Sequence, residues 1–64
     1  MRIDRIKLVT EMLRQNINQK MLSERTGISR STVNYIVGGK SCSYDSGKAI
    51  AKALGVDVTE IIED

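Results

Sequence analysis

Residues 18–40 contain two short runs of apolar residues at helical spacing, separated by Gly27 and followed by Gly38–Gly39. Glycine readily adopts a positive φ, so Gly27 allows a sharp turn between two helices and the glycine pair ends the second one. Asn18 and Ser29 are favourable N-cap residues, one at the start of each run. The segment therefore predicts two short helices that pack against each other across a tight turn.

The rest of the chain also favours helices. Short apolar clusters recur at spacings of three and four residues, and the 64 residues include no proline and only two aromatic residues. We expect a compact all-α bundle of five helices with an aliphatic core, in one domain over residues 1–64 with the two-helix unit at 18–38. The expected helices cover residues 3–13, 18–26, 29–37, 43 or 45 to 54, and 57–62.

The first predicted helix has two adjacent apolar ridges. Ile6, Val9 and Leu13 form one ridge, and Leu8 and Met12 form the other. Because the combined apolar stripe is wide, we expect this helix to pack against more than one neighbouring helix.

Charge is nearly balanced in total but unevenly distributed along the chain. Residues 1–40 contain eight basic and three acidic residues, whereas residues 41–64 contain two basic and five acidic ones. A basic front and an acidic back would orient the molecule toward a polyanion such as a nucleic acid. The alternative is that both are ordinary solvated faces.

The residue types that several other functions need are scarce. The chain has no histidine and one cysteine, Cys42, so neither an internal disulfide nor a metal site is expected, and no cofactor. No pair of nucleophile and base and no glycine-rich phosphate loop indicates an enzyme. No apolar run reaches membrane-spanning length and the start lacks a signal-peptide pattern. We therefore expect a cytoplasmic protein without a membrane contact, an enzymatic activity or a small-molecule ligand.

Polar side chains on the outer side of the predicted helix 29–37 suit the recognition of DNA bases. A short helix, a tight turn and a second helix with small polar side chains present a rod to the major groove. Arg30 can donate two hydrogen bonds to guanine, and Asn34 can pair with adenine or donate to a phosphate. Ser31 can touch a base edge or a thymine methyl group, and Tyr35 can contact phosphate, sugar or methyl groups.

Gln19 and Lys40 flank this face and are candidates for contacts with the DNA backbone. Gln19 lies in the first turn of its helix, where its side-chain amide and a free backbone N–H near the positive helix terminus suit a phosphate oxygen. Lys40 can add a phosphate contact from the far side, and Asn18, next to Gln19, is assigned to the same group. For all these residues the alternative is a solvated surface position without a partner.

Residues 18–40 resemble the helix-turn-helix of the Cro/CI-type (XRE) phage repressor family, and residues 49–62 are similar to that family's fourth and fifth helices. The resemblance implies a lambda-repressor-like five-helix domain that binds double-stranded operator DNA, usually as a homodimer. It also implies backbone contacts at Gln19 and Lys40, with Thr32 near the backbone. The positions that face the groove are then Arg30, Ser31, Asn34 and Tyr35. The residues in register with the family pattern are Gln19, Leu22, Thr26-Gly27-Ile28-Ser29, Ser31-Thr32-Val33, Ile36, Gly39-Lys40 and Ala51-Lys52-Ala53-Leu54-Gly55-Val56.

Three positions depart from the family pattern. Many members have an internal Arg–Glu ion pair where this chain has Met12 and Val37, and we expect an apolar contact instead, which need not cost stability. Ser23 stands where alanine is usual, a small change. Gly47 stands where a larger apolar residue is common, so we expect the fourth helix to start late and Tyr44 to fill the gap.

Two classes of function fit these features. The first is a Cro-like or repressor-like transcriptional regulator of a phage or mobile element, reading two half-sites about one helical turn apart as a homodimer. The second is a protein-binding module, such as an antitoxin or antirepressor, on the same scaffold. The face over residues 29–35 favours DNA because it is polar, carries an arginine and lacks the apolar anchors of a protein interface.

Apolar residues near the C-terminus exceed what a short terminal helix needs. Val56, Val58, Ile61 and Ile62 are therefore candidates for a dimer interface, and the alternative is that they only close the core.

Overall fold

The computed structural model describes residues 1–63 and contains four α-helices and one turn of 3-10 helix within that range. This confirms the all-α class and corrects the expected count of five α-helices. The elements are α1 (Arg5–Arg14), α2 (Gln19–Thr26), α3 (Arg30–Val37), α4 (Tyr44–Leu54) and the 3-10 turn Val58–Glu60.

The segment expected to form the fifth helix, residues 57–62, ends after a single turn. Asp57 caps it, and the side chains of Asp57 and Glu60 form a capping box. Ile61 then leaves helical geometry at φ −125°, and its carbonyl oxygen accepts a hydrogen bond from the Asp4 N–H at 2.8 Å. Backbone groups that would continue a helix bond instead to the start of the chain, which is why the helix stops.

The N-terminal segment, residues 1–4, joins two distant parts of the chain. Met1 exchanges two backbone hydrogen bonds with Cys42, one from the Cys42 N–H at 2.9 Å and one from the Met1 amino group at 3.0 Å. On the other side, the Glu63 N–H donates to the Arg2 carbonyl oxygen at 3.0 Å. The segment therefore ties the loop after α3 to the C-terminal residues.

The core is aliphatic, as expected from the composition. α2 packs against both α3 and α4, α1 packs against α3, and α4 packs against the 3-10 turn. Burying these side chains is the main force that holds helices too short to be stable alone. The buried apolar residues are Ile3, Leu8, Met12, Ile17, Leu22, Val33, Ile36, Ile50, Ala51, Leu54 and Ile61.

The two ridges of α1 have different environments. Leu8 and Met12 are buried, but Ile6 and Leu13 are 74% and 76% exposed, with Val9 partly buried between them. The wide apolar stripe, from which we expected contacts with more than one neighbouring helix, is therefore buried along one ridge only. Leu8 and Met12 are enough to bury α1, and the other ridge faces solvent.

The expectations at Gly47 also need correction. Helix α4 starts at Tyr44 rather than late, because the Ser43 side chain caps it by accepting from the Ser46 N–H at 3.1 Å. Tyr44 is 59% exposed and does not fill the gap. The Met1 side chain lies over Gly47 instead, so closely that a Cβ atom at Gly47 would overlap the Met1 sulfur.

Candidate nucleic-acid interface

The turn between α2 and α3 is fixed by two side-chain hydroxyls as well as by a glycine. Gly27 has φ 76°, as the sequence predicted. Thr26 donates to the Leu22 carbonyl oxygen at 2.7 Å and accepts from the Ile28 N–H at 3.1 Å. Ser23 donates to the Ile28 carbonyl oxygen at 2.5 Å. These turn hydrogen bonds hold the exit of α2 and the approach to α3 in one geometry.

Ser23 is thus more than the tolerated replacement that the sequence comparison suggested. Its hydroxyl satisfies a partly buried carbonyl group that an alanine would leave without that partner. Sequence reasoning missed this because the bond spans five residues across a turn. The only signal was a hydroxyl side chain one helical turn before Gly27.

The rotation of α3 about its axis is set by the two side chains that it buries. Val33 and Ile36 are inserted in the core, at 0% and 1% exposure, and Ser29 caps the helix by accepting from the Thr32 N–H. Side chains on the opposite side must then face solvent, because the helical repeat separates the two faces. This defines the recognition face, which consists of Arg30, Ser31, Asn34 and Tyr35.

All four residues of the recognition face are exposed and share one side of α3. Within residues 1–63, the side chains of Arg30 and Asn34 have no hydrogen-bond or ion-pair partner, so their donors are available to a ligand. The Ser31 hydroxyl lies 3.3 Å from that of Ser29. The sequence prediction that these side chains lie together on an open surface agrees with this geometry.

Lys40 and Tyr35 are brought together at the end of the recognition face. Gly39 has φ 99°, which turns the chain back so that the Lys40 ammonium lies 6.0 Å from the centre of the Tyr35 ring. An exposed cation–π contact of this kind contributes only about 0.5–1 kcal/mol. The ammonium can therefore turn from the ring to a phosphate at small cost.

The other residues assigned to the DNA backbone are Asn18 and Gln19 at the start of α2 and Thr32 in α3. The Asn18 side-chain carbonyl accepts from the Met21 N–H at 2.8 Å, which confirms Asn18 as the cap and leaves its amide NH₂ as a donor. Gln19 is the first residue of α2 and is partly buried. Thr32 is exposed, and its hydroxyl accepts from that of Ser29 at 2.9 Å. The first turn of α2 contains no acidic residue, so its N-terminus can accept an anion.

Basic side chains in residues 18–40 are not neutralised by ion pairs within the described part of the chain. The described ion pairs lie elsewhere: Arg14 with Glu11 at 2.6 Å, and Arg2 with Glu63 at 3.2 Å. The α3 sequence contains no acidic residue. The recognition face and its surroundings are therefore electrostatically suited to a polyanion.

Met12 and Val37 lie on the same apolar groove. The groove has a volume of about 370 Å³, and the late part of α1, the end of α3 and the start of α2 line it. Met12 is 7% exposed and Val37 is partly buried against the core. Both positions are thus apolar and shielded and line one groove, and the direct contact expected between them in place of the family's ion pair stays a prediction.

The residues assigned to a dimer interface differ in their accessibility. Ile61 is completely buried, so its assignment to the interface is corrected: it fills the core of a single molecule. Val56, Val58 and Ile62 are partly buried against that core and keep some exposed surface.

Cys42 and the acidic side chains do not form a second site within residues 1–63. Burial raises the pKa of the Cys42 thiol, with the N-terminal ammonium acting in the opposite direction, so the thiol is protonated near neutral pH. No three carboxylate or thiol groups in this range lie close enough together to hold a metal ion. Nor does any helix in it have the length and apolarity to cross a membrane.

Comparison with known proteins places this geometry in a family. A helix-turn-helix family model matches residues 10–61, a span that includes α2, α3, α4, the 3-10 turn and half of α1. Searches of curated proteins and of solved structures found no match. The chain belongs to the helix-turn-helix family of the Cro/CI (XRE) type, whose members are DNA-binding transcription regulators.

Proposed function

We propose that this protein reads a specific sequence in double-stranded DNA by placing α3 in the major groove. The observation that carries the proposal is the recognition face itself, which is exposed, polar and free of acids on a helix whose rotation the core fixes. Arg30 donates two hydrogen bonds to guanine O6 and N7, and Asn34 pairs with adenine or a phosphate. Because they are one helical turn apart, about 6 Å, they reach bases about two steps apart.

The other residues of the recognition face make closer and less specific contacts. Ser31 is short, so it lets α3 approach a base edge or a thymine methyl group. Tyr35 contacts a phosphate, a sugar or a methyl group from the end of the face. Both contribute to the fit of α3 in the groove more than to hydrogen-bond recognition.

Backbone contacts hold this helix in register. Asn18 and Gln19 offer amide groups and backbone N–H groups at the positive end of α2, and Lys40 offers its ammonium beyond the end of α3. Thr32 borders the recognition face and donates its hydroxyl to a phosphate. These contacts position the protein without reading sequence, so they act alike on every DNA duplex.

The protein acts as a homodimer on a two-fold symmetric operator. Half-sites one helical turn apart place two recognition helices about 34 Å from each other. The longest dimension of one molecule is 27 Å, so two molecules side by side reach that spacing. Val56, Val58 and Ile62 contribute the apolar part of the dimer interface. The resemblance to Cro/CI-type repressors supports the role of a repressor encoded by a phage or mobile element. Such a repressor acts in the cytoplasm, where its operator DNA is located.

Selection of bound sequences from random DNA duplexes tests the proposal. We expect an enriched motif with two inverted half-sites whose centres are about 10 base pairs apart. A motif with one half-site would overturn the dimer but keep the groove contact. Failure to enrich any sequence, with a correctly folded protein, would overturn sequence-specific binding and favour the protein-binding class.

A further inference from the structure

The exposed ridge of α1 is an apolar surface that DNA recognition does not use. Among the described residues, the large hydrophobic side chains with high exposure are Ile6, Leu13 and two tyrosines. The two aliphatic ones both lie on this ridge, on either side of the partly buried Val9. A contiguous aliphatic surface with a polar rim is typical of a protein-interaction site.

The ridge continues into the groove described above. Val9 and Leu13 line the groove as well as the ridge, and Ile17 and Val37 add apolar walls on its other side. Ridge and groove together are called the α1 surface below. Its shape, a raised row beside a depression, fits a second helix that packs alongside α1.

The size of the α1 surface favours a short helix over a second copy of the chain. The ten residues of α1 extend about 15 Å, or nearly three helical turns. A stable interface buries about 800 Å² on each partner. That is about a fifth of the 4107 Å² surface of this molecule, more than a ridge of three side chains provides. A helix docked through a few apolar anchors needs less area.

The charges around the α1 surface favour an acidic partner. Arg5 is exposed at one end, with its aliphatic part beside Gly39 and no ion-pair partner within residues 1–63. Arg14 is exposed at the other end. Glu11, the one acidic residue of α1, already accepts from Arg14 at 2.6 Å and from Gln15 at 3.2 Å. Glu11 therefore offsets the charge of Arg14, and Arg5 is the unpaired cation of this rim within residues 1–63. A second copy has no free α1 carboxylate to offer Arg5, whereas the carboxylates of an acidic partner helix would complement it.

We propose that the α1 surface binds an amphipathic helix of a partner protein, with aliphatic side chains on one side and carboxylates along its flanks. Asn18 and Gln19 also border the groove. A docked helix therefore places negative charge beside the residues assigned to the DNA backbone. This step rests on the proposed DNA contact at Asn18 and Gln19. The docked partner helix and the DNA then compete for the protein, so binding of the partner releases the protein from its operator.

Titration of the ¹⁵N-labelled protein with a designed helical peptide tests the docking. The probe has about 14 residues, with leucines at i, i+3 and i+7 and glutamates on the flanks, enough to cover the length of α1. We expect saturable shifts of amide signals in α1 and at the start of α2. A matched peptide with lysines in place of the glutamates should bind at least about tenfold more weakly because of the arginines at the rim.

Variants of exposed residues locate the binding site without disturbing the fold. Leu13→Ser and Ile6→Ser should each weaken the acidic peptide at least about tenfold, since anchor residues dominate small interfaces. Tyr44→Ser, a control of similar exposure on α4, should leave its affinity unchanged. Equal affinity for both peptides, no binding of either, or shifts that map elsewhere would overturn the proposal. So would a dimer that forms without peptide and is lost in Leu13→Ser.

A competition experiment separates this proposal from the proposed function. The acidic peptide should displace the selected operator from the wild-type protein but not from Leu13→Ser. Arg30→Ala should bind the operator about 5- to 150-fold more weakly and still bind the peptide with unchanged affinity. Peptide binding by a protein that binds no DNA would overturn the proposed function and leave the docking surface standing. Peptide and operator bound together would overturn the competition.

Discussion

The outer faces of α3 and α1 are both open to solvent, and they differ in what they offer a partner. α3 buries its aliphatic side chains in the core and exposes Arg30 and Asn34. The hydrogen-bond donors of these two residues add to binding free energy only where the partner offers matching acceptors. α1 also buries one apolar ridge but presents a second one, with Ile6 and Leu13 exposed. Under the two proposals made above, the α3 face would select a partner by hydrogen-bond pattern, and the α1 face by removal of apolar surface from water. One small domain would then carry two different recognition surfaces.

The largest expected effect is a difference in unfolding free energy between variants of the buried and the exposed ridge of α1. Leu8→Ala should cost about 2–5 kcal/mol of unfolding free energy, because it leaves a cavity in the core. Leu13→Ala, the same change at 76% exposure, should stay within about 0.5 kcal/mol. Urea denaturation followed by circular dichroism measures both. Equal losses of unfolding free energy in the two variants would mean that Leu13 is buried in solution. The α1 face would then not differ from the α3 face in the way described above.

The next effect concerns the recognition face of α3. Arg30→Ala should lose about 1–3 kcal/mol of binding free energy on the selected operator and relax the preference at one base pair. Lys40→Ala should weaken all duplexes alike and reduce the slope of log affinity against log salt by about one. Fluorescence anisotropy with operator and random DNA at several salt concentrations measures both. If Arg30→Ala lost the same binding free energy on operator and on random DNA, Arg30 would not recognise a specific base.

A smaller effect tests how the turn supports α3. Ser23→Ala should lower the unfolding free energy by about 1 kcal/mol, because it removes the hydrogen bond to the Ile28 carbonyl oxygen. The higher helix propensity of alanine should offset a few tenths of a kcal/mol of this loss. Ser31→Ala is the matched control, since its hydroxyl lies on the exposed face of α3. The unfolding free energy of Ser31→Ala should not fall and should rise by at most a few tenths of a kcal/mol from helix propensity, whereas its DNA affinity should fall. A Ser23→Ala protein as stable as the wild type would show that the turn does not depend on this bond.

The smallest effect lies at the C-terminal turn, away from both faces. Hydrogen bonds from the Thr59 backbone N–H and hydroxyl hold the pKa of Asp57 below its usual value. A carboxylate with a lowered pKa stabilises the fold above its unfolded pKa, and the contribution is lost as the pH falls through the folded pKa. Thr59→Val keeps the backbone bond, so it should raise the pKa only part of the way. An NMR titration of the Asp57 carboxyl group measures this, and an unchanged pKa would contradict it.

The sequence could predict the two-helix unit because its signals are local. Asn18, Gly27 and Ser29 each act within one helical turn of their position, as cap, turn and cap, and the structure has each in that role. The exposed set on α3 follows from the same periodicity. Local chemistry was enough to predict the caps and the glycine turn, but not the Ser23–Ile28 hydrogen bond across that turn.

The remaining features depend on contacts between distant residues. The space at Gly47 is taken by Met1, and the last helix stops because Ile61 bonds to Asp4. No local pattern encodes either contact. The exposure of the Ile6–Leu13 ridge could not be predicted for another reason. Aliphatic residues at helical spacing give the same sequence pattern whether the core covers them or they remain exposed.

The turn hydrogen bonds of Ser23 and Thr26 have a thermodynamic consequence for binding. Because they already hold the angle between α2 and α3 in the free protein, DNA contact orders no part of this unit. The heat capacity change of binding should then match the surface buried at the interface alone, without the added negative part that accompanies folding on contact. Calorimetry over a range of temperatures would thus detect a protein that meets its operator already in its bound shape.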